Sequence, residues 1–141
     1  MKPKPKRADI VIIGGGLSGI SSAIAASREG TTVALVESLD EWGGSTGEFT
    51  QMPVDSPSTS NEIFFRESGR FEEIISHIRI HNQEGTYAGQ SRALTTLLKS
   101  EPKISTFLGS HCLSATLSTA KDRIETCTAI TLQEGNEVLF R

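Results

Sequence analysis

Residues 9–19 read DIVIIGGGLSG, and residues 33–47 read VALVESLDEWGGSTG. The apolar run at 10–13 predicts a strand that leads directly into the glycines. Apolar residues recur at helical spacing over 17–28, and a second apolar run at 33–36 ends at Glu37. This order of strand, glycine turn, helix and strand predicts an α/β fold built on parallel strands.

The glycines of the turn have separate physical roles. Gly14 allows the chain to turn sharply out of the strand, where a Cβ would clash. Gly16 has no side chain, so a phosphate can approach the backbone, and Gly19 lets the helix lie against the strands. The N–H groups and the dipole of the helix N-terminus favour an anion at the same place. In this context the GxGxxG pattern predicts a dinucleotide site.

An acid stands at the end of the second strand, where the adenosine of such a ligand would lie. The Glu37 carboxylate can accept hydrogen bonds from both ribose hydroxyls, and it would repel a 2′-phosphate. The acid therefore favours FAD or NAD over NADP.

A glycine pair, Gly43-Gly44, follows the acid after a short linker. In this respect the chain resembles the FAD-dependent oxidoreductase superfamily with the glutathione-reductase-type Rossmann domain, and more narrowly the members related to fumarate reductase flavoproteins. The resemblance extends over residues 8–46 and more loosely over 61–131. It implies that the cofactor is FAD. By position, the resemblance places Gly14, Gly15, Gly16, Leu17, Ser18 and Gly19 at the pyrophosphate, Glu37 and Ser38 at the ribose, Gly43, Gly44, Ser45 and Thr46 toward the flavin, and the backbone near Cys112 at the adenine.

The later segments predict further elements of the same fold. We expect a helix cap near residues 60–61 and helix over 62–66 and 71–80, bent around Gly69. A second helix is predicted at 87–99, followed by a strand at 104–108. Alternating strands at 112–117 and 124–132, joined by a polar turn at 120–123, predict a hairpin, and another strand begins at 137. The predicted fold is a Rossmann-like parallel sheet with flanking helices and a small β-hairpin or meander.

The chain has 141 residues, whereas the resemblance implies several hundred for a complete enzyme. Relatives of this kind carry an inserted substrate domain and a final strand with an Ala-Thr-Gly-type segment, and nothing after Glu137 matches that segment. We therefore expect a basic disordered arm at 1–7 and an incomplete FAD-binding Rossmann-type domain at 8–141, without the substrate domain.

Composition and charge limit the remaining roles. The net charge of −3 gives no general attraction to nucleic acid. The N-terminus is charged and broken by prolines, and no apolar run reaches the length of a membrane span, so we expect a cytoplasmic protein. Cys112 and Cys127 match no metal or redox motif, and free thiols are expected. His77 and His81 lack a third ligand nearby in sequence, so we expect a solvated helix face and no metal site.

The sequence is best interpreted as the FAD-binding portion of an oxidoreductase whose flavin accepts a hydride from an unidentified small-molecule substrate. Its catalytic residues are expected outside this chain, which on its own need not be active. One alternative is the NAD-binding domain of a dehydrogenase, with which Glu37 is compatible but which Gly43-Gly44 does not favour. Another is a non-catalytic Rossmann remnant that acts as an interaction module. A partner chain that completes the domain, or a homo-oligomer, stays open at this point.

Overall fold

Two sheets and three helices make up the described part of the computed structural model, which comprises residues 6–54, 68–131 and 135–140. The elements, in chain order, are β1 (Ile10–Ile13), α1 (Leu17–Arg28), β2 (Val33–Val36), α2 (Arg70–His81), α3 (Tyr87–Lys99), β3 (Ile104–Phe107), β4 (Ser110–Leu117), β5 (Ile124–Thr131) and β6 (Glu137–Phe140).

The first sheet is parallel, in the order β1-β2-β3. Its register places Ile13 beside Val36, and Val36 beside Phe107, so the carboxyl ends of all three strands meet at one edge. The second sheet is antiparallel, in the order β4-β5-β6. The predicted α/β fold, with a parallel sheet, flanking helices and a small antiparallel meander, is confirmed.

The central strand β2 is buried along its whole length, because a different layer covers each of its faces. Val33 and Leu35 pack with the three helices. Ala34 and Val36 alternate with them and pack against the antiparallel sheet. The molecule is therefore layered: helices, parallel sheet, antiparallel sheet. The helical layer of the core contains Ile20, Ala23, Ile24, Trp42, Ile74, Ile75, Ile78, Ala93, Leu94, Leu97 and Leu98.

One arginine joins elements that are distant in sequence. The Arg28 guanidinium at the end of α1 donates to both carboxylate oxygens of Glu73 on α2, at 2.8 and 2.6 Å. Its Nε also donates to Glu101 after α3, at 2.8 Å. The hydrogen bonds to Glu73 and then those to Glu101 raise the pKa of Arg28, and Arg28 in turn lowers the pKa of Glu73.

The element boundaries agree closely with those predicted from sequence. Helices α1 and α3 have the predicted ends, and α2 starts immediately after Gly69, whose φ of +74° suits glycine. Strand β4 starts at Ser110, two residues earlier than predicted, and β3 ends at Phe107. The cap and helix predicted over 60–66 lie outside the described residues.

The two ends of the described chain lie close to each other. Lys6, within the predicted arm, donates its backbone N–H to the carbonyl of Leu139, and its ammonium lies 4.5 Å from the Phe107 ring centroid. Strand β1 has β2 as its one neighbour among the described residues, and its Ile10 and Ile13 are exposed. The partner chain or homo-oligomer stays a prediction. Among the described helices, none combines the length and the apolar character needed to cross a membrane.

Candidate functional site

The glycine turn leaves β1 at the carboxyl edge of the parallel sheet. The Gly14 N–H donates to the carbonyl of Val36 at 2.8 Å, and the φ of Gly14 is +109°. A Cβ on Gly14 would meet no atom of another segment within 4 Å. Glycine is needed here because of its backbone conformation, in which a Cβ would be strained against the local backbone.

Gly19, one turn into α1, brings the helix onto the strand. A Cβ at this position would overlap the carbonyl oxygen of Gly14 and lie 3.6 Å from Cγ2 of Ile12. The close packing predicted for Gly19 is present.

Gly16, by contrast, is half-buried at the N-terminus of α1 and is not closely packed. The nearest atoms to a Cβ placed on Gly16 would be Cα of Gly44 at 3.9 Å and the carbonyl oxygen of Gly43 at 4.0 Å. Gly16 is also the N-cap residue of α1, and no described side chain caps the helix. The first-turn N–H groups of a helix need acceptors, and a phosphate could supply them.

The second glycine motif lies directly beside the first. The Gly43 N–H donates to the carbonyl of Gly15 at 2.9 Å, and Gly16 and Gly43 form a parallel bridge. Gly44 has a φ of +57°, and a Cβ there would lie 3.0 Å from Cα of Gly16. Backbone contact thus joins two motifs that the sequence separates by more than twenty residues, as a shared ligand site requires.

The next residues are held by α3. A short 3₁₀ turn covers Gly44–Thr46, and the Gln90 side-chain amide donates to the carbonyl and to Oγ1 of Thr46, at 2.7 and 2.8 Å. Ser45 is exposed on the same turn. The backbone of the residues predicted to lie toward the flavin is therefore held in place by the turn and by α3.

Glu37 is buried at the end of β2 and turned toward the glycine turn. Its Oε2 accepts the N–H of Gly15 at 2.5 Å, and its Oε1 accepts the N–H of Leu39 at 2.8 Å and the hydroxyl of Ser38 at 3.0 Å. These contacts fix the orientation of the carboxylate. Each carboxylate oxygen has two lone pairs. The two donors to Oε1 use both of its lone pairs, whereas Oε2 has one donor and can still accept one ribose hydroxyl.

Trp42 is a site residue that sequence reasoning missed. Its ring is buried, and a Cβ on Gly15 would lie only 2.5 Å from Cε3 of that ring. The backbone N–H of Trp42 donates to Oγ of Ser91 on α3 at 2.9 Å. The one available signal was a large apolar residue immediately before the glycine pair.

The start of β4 lies beside the acid. The Glu37 N–H donates to the carbonyl of Phe107, and the Ser110 N–H donates to the carbonyl of Glu37, both at 2.8 Å. Cys112 follows two residues later, so the segment predicted to contact adenine is close to the predicted ribose acid. Its thiol points toward Cys127, with 3.6 Å between the sulfur atoms.

The histidine pair on α2, His77 and His81, is not part of the site formed by the glycine motifs and Glu37. His77 is half-buried, and its Nε2 lies 3.1 Å from the carbonyl of Ala93, so the predicted solvated face is wrong for this residue. Burial lowers the pKa of His77, as does the neighbouring His81. Among the described residues, no group of three His, Cys, Asp or Glu side chains could hold a metal ion.

The site is therefore a backbone cradle bordered by an oriented carboxylate. An anion can be held at the N-terminus of α1, Oε2 of Glu37 can accept a ribose hydroxyl, and any larger residue at Gly16 would stand between the anion and the backbone. This donor and acceptor set fits the ADP half of a dinucleotide.

Comparison with known proteins supports the same assignment. The family model described as FAD dependent oxidoreductase matches residues 9–138. No curated protein matches the chain. Solved structures with a similar fold include L-proline dehydrogenase from P. horikoshii (TM-score 0.53, 16% identity, 99% of this chain and 22% of that chain). They also include the flavin-dependent monooxygenase PieE in complex with FAD and substrate (TM-score 0.58, 15% identity, 98% of this chain and 29% of that chain). A mutant of E. coli quinol fumarate reductase FrdA is similar as well (TM-score 0.63, 13% identity, 99% of this chain and 32% of that chain).

These identities show a shared fold, and the chain spans 22% to 32% of the length of these structures. The family match confirms the resemblance predicted from residues 8–46 and the prediction that the cofactor is FAD.

Proposed function

Because the chain belongs to the FAD dependent oxidoreductase family, we propose that it is the FAD-binding portion of an oxidoreductase whose flavin accepts a hydride from a small-molecule substrate. One observation supports this proposal above the others. The two glycine motifs are in backbone contact at the N-terminus of α1, which no described side chain caps, and an oriented carboxylate borders the same turn.

The pyrophosphate is assigned to the N-terminus of α1. There the N–H groups of Leu17, Ser18 and Gly19 have no partner within the helix and point along its axis past Gly16. Phosphate oxygens would accept these hydrogen bonds, and the helix dipole would add a favourable potential. Gly14 supports this arrangement by its positive φ, and Gly19 supports it by the close approach of helix and strand as well as by its N–H.

The adenosine is assigned to the region between Glu37 and the start of β4. The Gly15 and Leu39 N–H groups hold the carboxylate before any ligand arrives, so little side-chain entropy is lost when the ribose binds. The backbone near Cys112 would then lie at the adenine. From the pyrophosphate the ligand would extend along Gly44–Thr46, which assigns the flavin to that side.

Bound FAD supplies the redox chemistry, and the protein supplies position and electrostatics. The described residues of the cradle bind and orient the cofactor. We assign no acid or base for the hydride transfer among these residues. The cradle therefore supports the proposed cofactor and does not identify the substrate or the catalytic residues.

The phosphate assignment is tested by Gly16→Val. A Cβ at Gly16 would lie at least 3.9 Å from the atoms of other segments, so the fold should be retained while the phosphate approach is blocked. We expect FAD affinity to fall at least about tenfold, because charge-assisted hydrogen bonds are lost. Flavin fluorescence during a titration reports binding, and circular dichroism reports the fold.

The matched control is Ser22→Val, which adds bulk on the exposed side of the same helix, one turn after Ser18. It should bind FAD as the wild type does. A folded Gly16→Val variant with wild-type affinity would remove the phosphate role from Gly16.

NAD is the competing ligand, since its ADP half is the same. We expect FAD to bind more tightly than NAD, because the segment around Gly43 and Gly44 follows the ligand beyond the pyrophosphate. Equal or tighter binding of NAD would instead favour the NAD-binding domain of a dehydrogenase. Binding of neither would favour the interaction module.

A further inference from the structure

The two cysteines meet on the inner face of the antiparallel sheet. Cys112 lies on β4 and Cys127 on β5, and their sulfur atoms are 3.6 Å apart. Cys112 is opposite Ala129 in the register, and Cys127 is opposite Ala115. The pair is therefore diagonal across the two strands, and the register shifts by one residue after Cys112. Both thiols are free.

We propose that Cys112 and Cys127 form a reversible intramolecular disulfide when the chain meets a low-molecular-weight disulfide. A disulfide bond is about 2.05 Å long, so the two sulfur atoms need to approach each other by only about 1.5 Å. The strands that carry them are already paired on both sides of the cysteines, so the bond joins neighbouring segments without changing the topology.

Access to the pair comes from a cleft between β1 and the β4–β5 hairpin. The cleft has a volume of about 280 Å³, and both cysteines line it. Ile10 and Ile13 of the exposed β1 edge form one wall, and Ala115 lies in the other. A cleft of this size gives a sulfur atom room to change rotamer and admits one end of a small disulfide.

The two thiols have different exposures, which sets the order of the exchange. Cys112 is half-buried and reaches the reagent first, whereas Cys127 is buried. Burial, together with the contact to Cys112, raises the pKa of Cys127 to about 11. A buried thiol with a high pKa is a poor first nucleophile.

The exchange balances in two steps. The Cys112 thiolate attacks a sulfur of the reagent RSSR, which gives a Cys112–SR mixed disulfide and releases RS⁻. The Cys127 thiolate then attacks Sγ of Cys112, forms the Cys112–Cys127 bond and releases a second RS⁻. The protein loses two protons and two electrons, and the reagent disulfide is reduced to two thiols.

The test uses the folded wild-type chain and oxidised glutathione as the disulfide. After exposure, the remaining thiols are alkylated and the chain is digested with trypsin. Cleavage after Lys103, Lys121 and Arg123 places Cys112 in peptide 104–121 and Cys127 in peptide 124–141. The proposal predicts a linked pair of these two peptides in monomeric protein, and two separate peptides after treatment with dithiothreitol.

Several results would overturn the proposal. One is a glutathione adduct that persists on Cys112 without the linked peptides. A second is a disulfide link found only between two chains. A third is complete alkylation of both cysteines after the exposure, which would show that neither thiol was oxidised. The Cys127→Ser variant serves as a control, because it should stop at the glutathione adduct on Cys112. The result on the wild type is sufficient even where that variant does not fold, since the linked peptides come from the unaltered chain.

Discussion

The contact between Trp42 and Gly15 predicts a strong energetic coupling. A Cβ on Gly15 would lie 2.5 and 2.6 Å from Cε3 and Cζ3 of the Trp42 ring and 2.9 Å from Cβ of Glu37. Non-bonded carbon atoms prefer about 3.5 to 4.0 Å, so the overlap is roughly 1 Å. The ring is 2% exposed. Gly15→Ala should therefore cost about 1 to 3 kcal/mol of stability.

The second variant of the cycle is Trp42→Leu, which removes the ring atoms that face Gly15. On its own it leaves a cavity and should cost somewhat less than the about 3 to 5 kcal/mol of a Trp→Ala change. In the double variant the new methyl group of Gly15→Ala enters space that the ring has vacated. We expect the double variant to be more stable than the sum of the single changes by about 1 to 2 kcal/mol.

Urea unfolding followed by far-UV circular dichroism measures all four free energies. This probe is needed because Trp42 is the only tryptophan of the chain, and the variant loses it. The control cycle pairs Trp42→Leu with Val138→Ala, which lies against the other core cluster and should be additive. Additivity within about 0.5 kcal/mol for the Gly15 and Trp42 pair would refute the steric account.

Two further predictions concern the helical layer. Arg28→Met should lower stability by about 2 kcal/mol. Arg70→Met, which among the described residues loses one exposed ion pair, should cost less than about 0.5 kcal/mol. The Arg28→Met effect should shrink in acid. Arg28 holds the pKa of Glu73 below its ordinary value of 4.5. The stabilisation by the ion pair is therefore fully present above 4.5 and is lost as the pH falls through the lower pKa of the folded state. Urea unfolding of both proteins at two pH values measures this change, and a cost of Arg28→Met that does not depend on pH would contradict the ion-pair account. Thr86→Ala removes the hydroxyl that accepts the N–H at the start of α3 and should cost about 1 kcal/mol, against less than about 0.5 for Thr96→Ala on the exposed face. Equal costs for the two threonines in thermal unfolding would show that the cap is not stabilising.

Local pattern was sufficient to predict the helices and the parallel strands. The limits of α1 follow from the glycine turn before it and the apolar stripe within it, and those of α3 from its stripe and the proline that follows. Periodicity and turn residues act over a few positions, and that is the range over which they can be interpreted.

Contacts between distant segments could not be predicted in this way. The Trp42 ring against Gly15 depends on how the loop after β2 folds back, and no spacing rule describes it. Arg28 bonds to Glu73, which is 45 positions later in the sequence, and to Glu101, which is 73 positions later. The sequence offers many other acidic side chains with which an arginine could pair. The inward orientation of Glu37 also depends on the N–H of Gly15, which the turn conformation brings into reach.

The outcome at Gly14 separates two reasons for a glycine. The sequence indicated that glycine was needed there, and the positive φ supports this, whereas a Cβ would meet no atom of another segment. At Gly19 the clash is present and the backbone is ordinary helix. Sequence alone could not distinguish a conformational requirement from a packing requirement.

A calorimetric titration of the wild-type chain with FAD, ADP and FMN tests the central claim most directly. The cradle is built for the ADP half of the cofactor, through the N-terminus of α1 and the Glu37 carboxylate. FAD and ADP should therefore bind competitively at one site, and FMN, which lacks that half, should not bind. Binding of FMN with an affinity like that of FAD, or FAD binding that ADP does not displace, would contradict the assignment of the cradle.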